Sequence, residues 1–249
     1  MATLFGKLAS RTRKKSAGAG NQSNRPLFLQ SPYAQTTLIQ GSIKRLVDLP
    51  KYVDLSEWLA INTFEFFQYV NMFYGSVSEF CTPTTCPSMS AGSCEYHWTD
   101  SSKRTLKVSA PQYVDFATTQ IQAQLSDDTL FPTKSGAEFP PGFLPNVIRP
   151  IHRHLLRILA HIYHAHYPHI LQLQTEGHLN TLFAHFACFA LTFDTVEGLS
   201  AWAGVTGLQI GSGLAAGGMS GAKSSRDKER EKDLEPLREL VAELEPMIA

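Results

Sequence analysis

The apolar positions recur mainly at helical spacing. Leu55, Leu59, Phe66, Val70 and Phe73 form one stripe, and Trp58, Ile61 and Phe64 form a second edge. Asp54 and Glu57 stand as N-cap and N3 of that helix, which is expected to run to about Tyr74 with Gly75 just beyond it. An apolar surface this wide marks a central helix, or one with a partner on its second edge. Pro111 opens a second helix, reaching about Leu125, with Tyr113, Phe116, Ala117, Ile121 and Leu125 inward. Pro145 opens a third, with Val147, Ile151, Leu155, Leu159 and Ile162 on one face; Pro150 either kinks it or marks its true first turn. A short turn over Ile170–Leu173 precedes a fourth long helix, from about Glu176 to Phe193, with Leu179, Phe183, Phe186, Ala187 and Ala190 inward. A last amphipathic stretch, 233–245, places Leu234, Leu237, Val241 and Leu244 on one side, with Asp233 able to cap it. Strand signal is confined to 78–110, where Tyr96-His97-Trp98 and Leu106-Lys107-Val108 suit a small β-hairpin. These patterns predict a mainly α protein, a helical bundle joined by Pro/Gly loops.

Composition refines the boundaries. Of 249 residues, 43% are hydrophobic and 18% charged, which suits one globular domain with tails. Residues 1–25 hold Lys7, Arg11, Arg13, Lys14, Lys15 and Arg25, and no acid occurs before Asp48. The segment reads as a disordered basic tail; a transit peptide would need an amphipathic period that it lacks. Pro26–Pro50 is irregular, with Leu27, Phe28, Leu29, Leu38, Ile39 and Leu46 as scattered apolar anchors. Residues 198–232 are Gly/Ser-rich, then charged, and read as a disordered insert. The Gly211–Ala216 match to a dinucleotide fingerprint lacks a βαβ context and is set aside. The 22 basic and 22 acidic residues balance, which argues against nucleic acid. Four cysteines are too few for a disulfide scaffold and fit a reducing compartment. No apolar run reaches membrane-spanning length.

The chemistry concentrates in two places. Cys81-x4-Cys86 is a knuckle of two soft ligands, and His161, His164, His166 and His169 crowd one stretch. Two thiolates and two imidazoles make the usual closed tetrahedral zinc set. Spacing leaves open which histidines serve: i and i+5 on an α-helix diverge by about 140°, although Pro168 can open the last turn. Arg149, Arg153 and Arg157, with His154 beside them, make a basic stripe, either a solvated helix face or a site for an anion.

EFCTPTTCPSMSAG (79–92), YHW (96–98), SAPQY (109–113), LFPTKSG (130–136), RILAHIYHAHY (157–167) and HLNTLFAHF (178–186) together resemble the Mob family of kinase activators. The likeness runs from about Pro26 to Val196 and resumes at Leu234; the start resembles the fungal branch that partners NDR-type kinases. The resemblance implies a single domain over 26–249 on a four-helix-bundle core with a structural zinc, held by Cys81, Cys86, His161 and His166, leaving His164 a bystander. It implies a non-catalytic coactivator that binds the N-terminal extension of an NDR/LATS-type kinase in polarity and morphogenesis, cytoplasmic with cortical and nuclear pools. Its kinase-facing positions are Glu57, Trp58, Met72, Phe131, Pro132, Lys134, Leu173, Gln174 and His185, with Trp58 expected as an exposed aromatic. Some members bind phosphopeptides through a basic cluster matched here by Arg153 and Arg157. His154 replaces an arginine there and Pro150 interrupts the helix, so weak phosphopeptide binding is expected. The alternatives are a mitotic-exit type adaptor and a zinc hydrolase. The hydrolase would need an open metal position and a nearby base.

Overall fold

A computed structural model describes residues 25–134, 136–199 and 233–248. The basic tail to residue 24, most of the Gly-rich insert and the set-aside fingerprint lie outside the described residues.

The described residues begin with two short 3-10 turns, Leu27–Leu29 and Tyr33–Gln35, and the brief helix α1 (Lys44–Val47). Asp54 then caps α2 (Leu55–Val77), its carboxylate accepting from the Ser56 and Glu57 amides at 2.7 and 3.4 Å. α2 passes through Gly75 rather than stopping there. A Cβ at Gly75 would meet nothing within 4 Å, and the helix ends one turn later at Ser78. Two short antiparallel pairs follow where one hairpin was expected: β1 (Ser90–Ala91) with β2 (Cys94–Glu95), and β3 (Trp98–Thr99) with β4 (Thr105–Leu106). Next come α3 (Ala110–Leu125), α4 (Arg149–His161), α5 (Tyr167–Gln172) and α6 (Glu176–Phe193). The C-terminal segment ends in the short helices α7 (Arg238–Glu243) and α8 (Glu245–Ile248).

The mainly helical expectation is met. α2 packs against α3, α4 and α6, and α3 packs against α4. Leu59, Phe66, Val70 and Phe73 of α2 meet Ile151, Leu155 and Leu159 of α4 and Phe183, Phe186 and Ala187 of α6 in one continuous core. Ile61 and Phe64 stay exposed, so the second edge of α2 is outward. Inside this apolar core His152 is fully buried, bridging Thr63 Oγ1 at 3.0 Å and Thr195 Oγ1 at 2.7 Å. Both ring nitrogens are satisfied, as a buried imidazole requires. Burial drives its pKa down to about 3, so it is neutral.

Two proline-associated turns shape the histidine-bearing segment. A π-helical turn, Leu144–Ile148, runs directly into α4 and places Pro150 just past the junction, where the widened turn accommodates a residue without an N–H. A second π-helical turn, Ile162–His166, follows α4 and hands over to α5, whose first turn holds Pro168.

Three expectations need correction. Asp233 does not spend its carboxylate as a helix cap; it pairs with Arg157. Leu38, Ile39 and Leu46 are 58%, 38% and 51% exposed, so they are not core anchors, whereas Phe28 and Leu29 are buried. Trp58 is half-buried, because its indole Nε1 donates to the Val47 carbonyl at 3.2 Å.

Candidate metal centre and interaction groove

Cys81 follows α2 by one turn, its amide donating to the Val77 and Ser78 carbonyls. Thr82 and Thr85 then close the knuckle: the Thr82 amide donates to Thr85 Oγ1 at 2.9 Å, and the Cys86 amide donates to the Thr82 carbonyl at 2.8 Å. Both sulfurs are thereby held on one side of a rigid turn.

The histidines converge through the second π-helical turn. Widening the turn to i→i+5 bonding cancels the divergence that an α-helix would impose, so His161 and His166 face each other with ring centroids 5.1 Å apart. Cys81 Sγ lies 3.5 Å from His161 Nε2, and Cys86 Sγ lies 3.5 Å from His166 Nε2. All four ligand atoms fall within 4.8 Å of one another, and all four residues are buried. A tetrahedral zinc with Zn–S near 2.3 Å and Zn–N near 2.05 Å puts sulfur and nitrogen about 3.5 Å apart. The donor set therefore fits such an ion in spacing and in softness.

The surroundings favour a cation. Burial pushes the Cys81 thiol up to about 12, partly opposed by a hydrogen bond from Tyr74. A thiolate in so dry a site needs a positive partner. Burial lowers the His161 pKa, and it takes His166 down to about 4 with help from His161 and His169. Both rings are thus neutral, as ligation requires. His161 Nδ1 donates to the Ser90 carbonyl at 2.7 Å, which aims Nε2 at the sulfurs. Tyr74 and Ser90 were missed from sequence; neither residue type signals a ligand-orienting role without coordinates.

His164 is outside the cluster, as the resemblance implied, but it is no idle residue. Its Nε2 donates to the Pro236 carbonyl at 2.8 Å, and its ring meets Phe28 edge-on at 4.8 Å. It ties both ends of the described chain to the middle.

The second feature is an apolar groove of about 480 Å3 between the 38–46 segment, α2 and α6. Leu38, Leu46, Tyr69 and Met72 form its walls and are each about half exposed or more, while His178 and His185 add imidazole edges. Burial lowers the His185 pKa, and its Nε2 has no hydrogen-bond partner among the described residues. Of the kinase-facing positions taken from sequence, Met72 and His185 line this groove. Leu173 is 47% exposed, and Gln174 next to it sits at φ 56°. Glu57 is exposed beside the half-buried Trp58 at the far end of α2. Phe131 is different: it is buried edge-on against Phe143 at 5.2 Å, leaving Pro132 and Lys134 as the accessible part of that loop. The groove walls Leu38, Ile39 and Leu46 were visible in sequence as apolar residues, but no period there distinguishes wall from core.

The basic stripe is neither a solvated face nor an open anion site. Arg149 pairs with Asp194 and, at 3.3 Å, with Glu197. Arg153 pairs with Glu197 at 3.3 Å, and Arg157 pairs with Asp233 at 2.6 Å. His154 Nδ1 meets the Tyr113 hydroxyl at 2.9 Å; burial first, then Arg157 and Arg153, bring its pKa down to about 3.

Comparison with known proteins adds two findings. Residues 35–200 match the sequence profile of the Mob1/phocein family. The chain is 44% identical over 198 residues to "MOB kinase activator-like 1 homolog A" of Dictyostelium discoideum, covering 78% of this chain and 91% of that one. It is 44% identical over 182 residues to "CBK1 kinase activator protein MOB2" of Saccharomyces cerevisiae, covering 73% and 63%. It is 41% identical over 194 residues to "MOB kinase activator 2" of Homo sapiens, covering 78% and 80%.

Proposed function

The chain belongs to the Mob1/phocein family, and from that premise we propose that it is a non-catalytic coactivator of a protein kinase of the NDR/LATS type. The observation that carries this reading is the groove: an apolar trough with exposed Tyr69 and Met72 and, at His185, an imidazole nitrogen that meets no hydrogen-bond partner among the described residues. A face of this kind in a folded domain suits an amphipathic helix laid into it. The resemblance implies a kinase extension that is apolar and basic. Exposed Glu57 and Glu65 stand on α2, the helix that carries Tyr69 and Met72, and complement such a ligand.

The metal is proposed to be zinc and structural, inside a four-helix core. Cys81, Cys86, His161 and His166 would hold it, and all four tetrahedral positions would then be protein ligands. That count argues against the hydrolase alternative, which needs a position for water. The cluster joins the end of α2 to the end of α4, so an ion there fixes the helix that walls the groove. The arginine pairings argue against the phosphopeptide-binding adaptor as the resting form of this chain. Work in polarity and morphogenesis, in the cytoplasm with cortical and nuclear pools, rests on the resemblance to the fungal branch. The domain span, 26–249 with a basic tail before it, rests on the same ground.

The test is titration of the purified chain with the N-terminal extension of an NDR-type kinase. Met72→Glu places a charge on the groove wall and is expected to weaken binding by 2 kcal/mol or more, roughly thirtyfold, while the melting temperature holds. Trp58→Ala should weaken it less, because the indole is already partly committed to Val47. Unchanged binding by Met72→Glu would remove the groove from the kinase interface.

A further inference from the structure

His161 and His166 each offer Nε2 to the cysteine sulfurs, so in the neutral rings Nδ1 carries the proton. A ligating imidazole donates that proton to a fixed acceptor, which sets the tilt of the ring and raises its basicity as a ligand. The two rings differ in this respect. His161 Nδ1 donates to the Ser90 carbonyl at 2.7 Å. His166 Nδ1 is buried and meets no hydrogen-bond partner among the described residues. A buried N–H left bare is costly in a folded protein, so an acceptor is called for.

One stands nearby. His169, in α5, has its ring centroid 5.6 Å from that of His166, with the planes tilted by 42°. Its Nδ1 is also buried and also meets no partner among the described residues. Phe80 holds this ring, stacking on it at 4.0 Å with the planes 13° apart. Phe80 directly precedes Cys81, so the stack fastens the cysteine knuckle to the histidine segment. Two bare nitrogens on neighbouring rings are complementary when one carries a proton and the other does not. No hydrogen bond joins them directly. A single water can span such a gap, accepting from one ring and donating to the other.

We propose that His169 is the positioning residue for His166: a bound water accepts from His166 Nδ1–H and donates to His169 Nδ1, which aims His166 Nε2 at the ion. His169 then keeps its own proton on Nε2. The two arms of the clip are thereby oriented by different means. His161 reaches a backbone carbonyl directly, whereas His166 reaches a side chain through water. The His166 arm is the one that a side-chain substitution away from the ligands can loosen. This inference rests on the reading of Cys81, Cys86, His161 and His166 as a zinc site.

The experiment measures the zinc affinity of the full chain by competition with a chromophoric chelator. Beside it, nitrogen–proton correlation spectra of the zinc-loaded protein, taken at mildly alkaline pH, read the tautomer of each histidine. His169→Phe keeps a planar ring on Phe80 and removes the acceptor; zinc binding is expected to weaken about tenfold or more. His169→Asn sets an amide oxygen near the Nδ1 position and should recover most of that loss, which a role in packing alone would not allow. In the wild type His166 should carry its proton on Nδ1 and His169 on Nε2. His169→Phe should shift the His166 Nδ1–H signal and leave that of His161 in place. The wild-type spectra need no variant, so they decide the matter even where His169→Phe fails to fold. A proton on His169 Nδ1 overturns the proposal, and so does wild-type zinc affinity in His169→Phe. Either result leaves the zinc reading standing, whereas a wild type that takes up no zinc overturns both.

Discussion

The Cys/His cluster gathers at the end of α4, the arginine stripe runs along the same helix from its first residue to Arg157, and the two resolve their buried polarity in opposite ways. Along α4 the arginines find Asp194, Glu197 and Asp233, so the cations meet carboxylates within the chain. At the end of α4 two thiols and two imidazoles point at one another. Buried donors converging on each other at 3.5 Å make sense around a cation; charges already matched make sense as structure. Sequence pattern proposed a ligand at both places, and only the coordinates separate them.

Removing a metal ligand should have the largest effect. Cys81→Ser is expected to lose the ion and much of the roughly 10 kcal/mol that such an ion supplies to folding. Thermal unfolding beside metal content per chain checks this. A large drop in melting temperature with the ion retained would separate the two and break the comparison.

Next comes the stripe. Arg157→Ala removes the 2.6 Å ion pair to the buried Asp233 and should cost about 3 kcal/mol in denaturant unfolding. Metal content should stay at the wild-type level. Arg153→Ala should cost far less, since that side chain is 37% exposed and its pair is a surface one.

Acid sharpens the contrast in the first turn of α4. His152 titrates near 6.5 unfolded and, through burial, near about 3 folded. Above pH 6.5 both states are neutral and its stabilising bonds to Thr63 and Thr195 are intact. Between the two values the unfolded chain binds the proton and the folded one does not. Stability is therefore lost as pH falls, by about 1.4 kcal/mol per unit from this residue. His152→Gln should flatten the slope of unfolding free energy against pH between 6 and 5 by about that amount. An unchanged slope would mean that His152 is not neutral in the core.

His164→Ala should have the smallest effect, about 1 kcal/mol for a lost backbone bond and some packing on Phe28.

Much of this was legible because it depends on local pattern. Asp54 capped α2 as read, and the inward faces of α4 and α6 were placed residue by residue. The candidate ligand set was different. Spacing put His161 and His166 on diverging faces, and only family resemblance chose them; the physical reason is the π-helical turn, which Pro168 hinted at without specifying. Asp233 was read as a cap because a carboxylate before an amphipathic stretch suits one. Its actual partner is 76 residues away, a distance no local pattern reports. The groove walls Leu38 and Leu46 look like any core leucines until packing leaves them outside.

The central claim is that Cys81, Cys86, His161 and His166 form one metal clip, so the direct measurement is zinc per chain in the wild type, His161→Ala and His164→Ala. One zinc in the wild type, none retained in His161→Ala and one in His164→Ala is the predicted result. A zinc-free wild type that melts at the same temperature as the zinc-loaded protein would contradict the account, as would full occupancy in His161→Ala.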